Sequence, residues 1–154
     1  MDRERFIREV EDASGMMYRV AYSILRNDQD CQDAMQETAL KAWENRNQLR
    51  DEDRFRTWMT RILINVCYAI ARKRKRFVPL ESVPERVSKA PDPTLAVALE
   101  ALPEKLRVPL VLNCAEGMTY REIAEVLKLP MATVRGRIAR AKETMRKELG
   151  EDEV

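Results

Sequence analysis

Four cations crowd one short stretch near the C-terminal end of the chain: Arg135, Arg137, Arg140 and Lys142. On a helix turning about 100° per residue, Arg135 and Lys142 fall on one flank and Arg137 and Arg140 on the other. Gly136 and Ala139 lie between them and face outward. Guanidinium groups donate to phosphate oxygens and pair with base edges, and small central residues let the helix backbone come close to a groove. The chemistry on offer is therefore recognition of nucleic acid, with no bond made or broken. A solvated basic face would carry the same charges, but an interior glycine destabilises a helix by about 1 kcal/mol relative to alanine and calls for a reason.

A second constellation lies upstream. Arg61, Asn65, Tyr68 and Arg72 recur at i, i+4, i+7 and i+11, and the run closes on Arg72-Lys73-Arg74-Lys75-Arg76. Arginine suits phosphate, asparagine a base edge and tyrosine a stacking face. The same basic end would also complement a helix dipole or dock on an anionic membrane. However, its bulky apolar residues are spaced for an interior rather than for lipid. A third group, Asp33, Gln36, Glu37 and Lys41, faces outward from its own helix and by itself reads as an ordinary solvated surface.

Covalent chemistry is poorly served. The chain has no histidine, and Cys31, Cys67 and Cys114 are too scattered for a zinc site or a disulfide framework. Each cysteine is expected to be a small core residue. No glycine-rich phosphate loop or nucleophile elbow occurs. These absences point away from an enzyme and from any cofactor.

The elements that must position these residues are helices. Only 4 glycines interrupt 154 residues, and strand-like alternation is absent. Apolar spacing predicts a helix over 3–25, with an inward stripe of Phe6, Val10, Ala13, Met17, Val20, Ala21 and Ile24. Asn27 then reads as a stop and Asp28 as the next cap. A helix over 28–45 should bury Cys31, Ala34, Met35, Thr38 and Ala42. A polar connection over 45–53 leads to a helix over 54–76 with an apolar stripe of Phe55, Trp58, Met59, Ile62, Val66 and Ile70. Residues 77–94 hold four of the 7 prolines and no apolar period, which marks a semi-rigid linker between two domains.

Beyond it, Leu95, Leu99 and Leu102 share a helical face. Leu106, Leu110, Val111 and Cys114 continue the pattern to a cap at Gly117, with Pro109 a kink or a first turn. Thr119 and Glu122 have capping-box spacing, and Ile123, Ala124 and Leu127 give a short apolar face. Lys128-Leu129-Pro130 breaks the helix, and Val134, Ile138, Ala141 and Met145 set the inward stripe of the next one. Two short helices with a tight turn, the second basic, read as a helix-turn-helix. The acidic tail after Gly150 should fray. The expected fold is all-α: two small helical domains joined by a proline-rich linker, the second containing the helix-turn-helix.

Charge divides along the same lines. Residues 1–53 carry 13 acidic against 8 basic side chains, whereas residues 54–80 carry 8 basic and no acidic ones. Opposite signs on neighbouring segments suggest separate surfaces for separate partners. No apolar run is long enough to cross a bilayer and no signal segment opens the chain, so a cytoplasmic protein without membrane insertion is expected.

The runs DCQDAMQETALKAW (30–43), FRTWMTRILINVCYAIARKRKR (55–76), LPEKLRVPLVLNCAEGMTYREIAEVL (102–127) and TVRGRIARAK (133–142), in this order around a proline-rich spacer, resemble the extracytoplasmic-function group of bacterial sigma factors. Those are promoter-specificity subunits of RNA polymerase. The resemblance implies a division into residues 1–76, 77–93 and 94–150. Asp33, Gln36, Glu37 and Lys41 would dock on core polymerase, which reverses their reading as a solvated face. Arg54, Trp58, Arg61, Asn65, Tyr68, Arg72 and Arg74 would open the −10 element and capture its bases. Thr119, Thr133, Arg135, Gly136, Arg137, Arg140 and Lys142 would read the −35 element as duplex. An anti-sigma factor is a possible further partner. Ala69, Lys128, Gly136 and Ala139 depart from the family pattern and bear on which promoter is read, not on the class. The residues also fit a free-standing regulator that binds an operator through residues 94–150, or a module that only sequesters another protein.

Overall fold

The computed structural model describes residues 1–77 and 93–150. The linker reading for most of 77–93 and the fraying reading for 151–154 lie outside the described residues. The described residues are helical and contain no strand. The chain divides into two compact units, Met1–Arg86 and Val87–Val154.

In the first unit α1 (Arg3–Leu25), α2 (Asp28–Glu44) and α3 (Phe55–Phe77) pack pairwise into a three-helix bundle. Helix α1 starts on Asp2, whose carboxylate accepts from the Arg5 amide at 2.8 Å, satisfying one of the donors a helix start leaves free. It ends at Leu25, as its apolar spacing predicts. Arg26 takes the left-handed conformation at φ 54°, and Asn27, not Asp28, caps α2 through a 2.8 Å bond from the Asp30 amide. Gly15 does not interrupt α1.

The seam of α2 is built from small residues. Cys31, Ala34, Thr38 and Ala42 are all fully buried, while Met35 is only half-buried. Small side chains on this face let α2 lie close to both neighbours.

Helix α3 departs from the expected single stripe. Phe55, Met59 and Val66 are buried, as read from the sequence, but Trp58, Ile62 and Ile70 are only half-buried. Leu63, Ile64, Cys67, Thr57 and Thr60 are buried as well. The reason is that α3 packs against α1 and α2 at once, so its buried sector is wider than one row.

At one end of the bundle Phe6 meets Trp43 at 5.1 Å and Phe55 edge-on at 5.9 Å. Tilted and edge-on pairs of this kind are worth roughly 0.5–1.5 kcal/mol beyond area burial. They tie the ends of all three helices around the connection at 45–54, which contains the 3₁₀ turns Arg46–Gln48 and Glu52–Arg54.

In the second unit α4 (Pro93–Ala101), α5 (Glu104–Leu110) and α6 (Tyr120–Leu127) surround α7 (Met131–Leu149). Ala98 on α4 and Leu102 just past its end are buried and Leu99 is half-buried, but Leu95 is exposed, so the expected Leu95-Leu99-Leu102 face is only partly inward. Pro109 sits inside α5 rather than at its first turn. Its nitrogen has no hydrogen to donate to the preceding turn. The helix then widens into a π-turn at Val111–Ala115, where the Glu116 amide reaches back to the Val111 carbonyl at 3.2 Å. Gly117, at φ 68°, ends this segment in the left-handed region that glycine adopts without strain. Cys114 is exposed, so the expectation that all three cysteines are core residues holds only for Cys31 and Cys67.

The helix-turn-helix forms as its sequence signals dictate. Thr119 Oγ1 accepts from the Glu122 amide at 3.1 Å, and Glu122 Oε1 accepts from the Thr119 amide at 2.9 Å, closing the capping box. Val126 joins Ile123 as a buried residue of α6, while Ala124 and Leu127 are half-buried. Lys128 takes φ 57° at the turn, and Pro130 precedes the first residue of α7. Val134, Ile138, Ala141 and Met145 are all buried. Burying a residue such as Ile138 stabilises by about 1.5–3 kcal/mol, which anchors α7 by one face and leaves the other free.

Candidate nucleic-acid interface

On α7 the face opposite the buried stripe carries the cations. Arg135, Gly136, Ala139 and Arg140 are exposed, and Thr133, Arg137 and Lys142 are half-buried. A Cβ built at Gly136 would meet nothing within 4 Å. The bare spot is therefore open on the outside and is not a close approach within the protein. Arg135 lies with its guanidinium carbon 5.9 Å from the centre of the Tyr120 ring. Thr119, exposed at the start of α6, has its hydroxyl engaged in the capping box. Glu143 stands one turn beyond Ala139 and pairs with Arg146 at 3.6 Å, which puts an acidic group into this basic face.

On α3, Arg61, Asn65 and Arg72 are exposed and Tyr68 is half-buried, so these four form one accessible row. Arg54, just before the helix, is exposed. Trp58 is half-buried against Phe55, with ring centroids 6.1 Å apart. Arg74 behaves differently from the others. It is half-buried, and its guanidinium donates to the Asp30 carboxylate at the start of α2. It therefore clasps the end of α3 to the next helix rather than standing free as a phosphate contact. Lys73 and Lys75, from the basic run that closes this helix in the sequence, are exposed and extend the row.

The acidic face of α2 is accessible along its length. Asp33, Gln36, Glu37 and Lys41 are exposed. Asp33 accepts from Gln29 Nε2 at 3.0 Å, and Lys41 Nζ lies 3.7 Å from Glu37. Leu40 stands among them at 63% exposure. No periodicity rule flagged it, because only the neighbouring helices reveal which apolar residues stay outside.

The connection between α2 and α3 is braced from both sides. The Arg46 guanidinium lies 3.9 Å from the Trp43 ring centre and donates to the Trp43 carbonyl at 2.8 Å. Glu52 is held by the N-terminal ammonium at 2.9 Å and by Arg5. The hydrogen bond from that ammonium, with the Arg5 charge behind it, holds the Glu52 carboxyl below its usual range. Among the described residues no cluster of His, Cys, Asp or Glu could hold a metal ion, and no helix is long and apolar enough to cross a membrane.

A three-helix bundle with a basic row, followed by a helix-turn-helix with an open basic face, defines a two-domain nucleic-acid-binding protein. Residues 10–77 match the Sigma-70 region 2 family and residues 94–145 match Sigma-70 region 4. The chain is 34% identical to the RNA polymerase sigma-H factor of Pseudomonas aeruginosa, over 79% of this chain and 74% of that one. It is 28% identical to the ECF RNA polymerase sigma factor SigW of Bacillus subtilis, over 96% and 90%. With the ECF RNA polymerase sigma factor SigE of Mycolicibacterium smegmatis it shares 31% identity, and there it spans only 58% of the relative's length.

Among solved structures, the fold matches the sigma factor RpoE in complex with the anti-sigma factor NepR from Bartonella quintana, with a TM-score of 0.82 at 23% identity over 97% and 99% of the two chains. It also matches CnrH in complex with the cytosolic domain of CnrY, with a TM-score of 0.70 at 27% identity over 98% and 91%. The chain belongs to the extracytoplasmic-function sigma factors and acts with RNA polymerase in promoter-specific transcription initiation.

Proposed function

We propose that residues 1–76 dock on core polymerase and open the −10 element, that residues 94–150 read the −35 element in duplex form, and that 77–93 tether the two. Asp33, Gln36, Glu37 and Lys41 form the docking face. Arg54, Trp58, Arg61, Asn65, Tyr68 and Arg72 hold the opened strand. Unstacking a base takes a few kcal/mol, which phosphate contacts and a shaped pocket offset. Arg74 acts from behind by holding α3 to α2. Thr119, Thr133, Arg135, Gly136, Arg137, Arg140 and Lys142 face the −35 duplex. The protein does no covalent chemistry and works in the cytoplasm, where core polymerase and promoter DNA are found. A regulator of the anti-sigma kind is a reasonable further partner, since RpoE was solved with one.

The observation that carries this reading is the build of α7: one face sealed into the domain, the other bearing Arg135 and Arg140 around an unobstructed Gly136. Run-off transcription with purified core polymerase over a promoter library tests it. Initiation should depend on this protein and on both promoter elements. No initiation above core alone would sink the reading.

A further inference from the structure

We propose that Tyr120 is a positioning residue for the −35 contact: its ring holds the Arg135 guanidinium where α7 presents it to the duplex. The inference rests on the reading of α7 as the duplex-binding helix. Arg135 is exposed, and among the described residues the Tyr120 ring is its side-chain partner, 5.9 Å from the guanidinium carbon to the ring centre. That distance lies at the outer edge of a cation–π contact.

The ring is a fixed platform. Tyr120 is half-buried and is the first residue of α6, directly behind the closed capping box of Thr119 and Glu122. The angle between α6 and α7 is set by the left-handed turn at Lys128. On its other side Arg135 borders Gly136, which offers no side chain to lean on. An arginine that roams through its rotamers loses that freedom on binding, whereas one already resting on a ring loses less. Tyr120 would thus act through Arg135, without itself needing to touch DNA.

The test uses the full chain with core polymerase, at one fixed salt concentration because phosphate contacts weaken with salt. Transcription is measured from a promoter selected by the library and from its single-base −35 variants. The Tyr120→Leu change should weaken −35-dependent initiation about two- to fivefold. The Tyr120→Phe change should keep it, since the ring remains. In an Arg135→Ala background, Tyr120→Leu should add no further loss. Its pattern of loss across the −35 variants should follow that of Arg135→Ala.

Additive effects would overturn the proposal, as would Phe being as damaging as Leu or a wild-type Tyr120→Leu. Should Tyr120→Leu lower the thermal midpoint, Tyr120→Met takes its place in the same cycle with the same expectations. If Arg135→Ala alone leaves initiation unchanged, the duplex-reading role of Arg135 itself falls, and with it the inference. That outcome is visible before Tyr120 is touched.

Discussion

Thr38 carries a hydroxyl sealed in the first bundle with no hydrogen-bond partner among the described residues. Other buried hydroxyls there turn back to the helix: Ser23 donates to the Val20 carbonyl at 2.6 Å and Thr60 to the Arg56 carbonyl at 2.7 Å. An unmet buried polar group is destabilising by about 1–3 kcal/mol. Replacing Thr38 with Val keeps the shape and removes the hydroxyl. We expect a gain of about 1 kcal/mol in chemical denaturation; a loss would mean that the hydroxyl has a partner in solution. Gly136 lies at the same scale on the other unit. With no atom within 4 Å of an added Cβ, Gly136→Ala should stabilise by about 0.5–1 kcal/mol. The same methyl would stand between α7 and the groove, so −35-dependent initiation should drop while the denaturation midpoint rises. A rise in both would show that the helix does not approach DNA along this line.

Among the elements, the helix-turn-helix hinges on Lys128. Its φ of 57° is the conformation in which a side chain crowds the following carbonyl, at about 1–2 kcal/mol. The Ala124 carbonyl nevertheless accepts from both the Lys128 and the Leu129 amides, so the turn is held by α6 itself. Lys128→Gly should relieve the strain, offset in part by the added freedom of the unfolded chain. A net gain of about 1 kcal/mol is expected, with promoter preference unchanged because the turn geometry stays the same. A destabilised variant would mean that the lysine stem makes packing contacts that outweigh the strain.

For the molecule as a whole, pH dependence should appear on the alkaline side. Burial pushes the Cys31 thiol up to about 12 from an ordinary 9.0, and it raises Cys67 as well. Tyr18 is raised chiefly because its hydroxyl donates to Asp28 at 2.7 Å, which favours the protonated form. All three hold their protons more tightly in the folded state than in the unfolded one. Their contribution is complete below the unfolded values and is lost as pH rises through the folded ones. The thermal midpoint followed by circular dichroism should therefore fall from pH 9 toward about 12. Tyr18→Phe should flatten part of that slope, and a midpoint level across this range would contradict the assignment. Glu52 has the opposite sign, since its lowered value favours the fold above the ordinary carboxylate range and is lost in acid. Its exposure leaves it little weight.

Much of this protein was legible in its residues. The stripe Val134, Ile138, Ala141 and Met145, the Thr119–Glu122 box and the outward cations around Gly136 are all local features of single helices. Spacing along one helix is enough to define them. What periodicity cannot report is how wide a buried sector must be, because that depends on how many neighbours a helix has. Buried Leu63 and Ile64 therefore fell outside the expected stripe, exposed Leu40 went unmarked, and exposed Cys114 came as a correction. Nor can it report partners far apart in the chain. Arg74 looked like one more phosphate contact until the bundle brought Asp30 to it, and Tyr120 gained meaning only when the turn set its ring beside Arg135. The amino-acid order by itself determined which helices form and which of their faces are polar. Tertiary packing decided which charges remain free to meet a partner, because a charge is neutralised by whatever the fold places within a few ångströms of it.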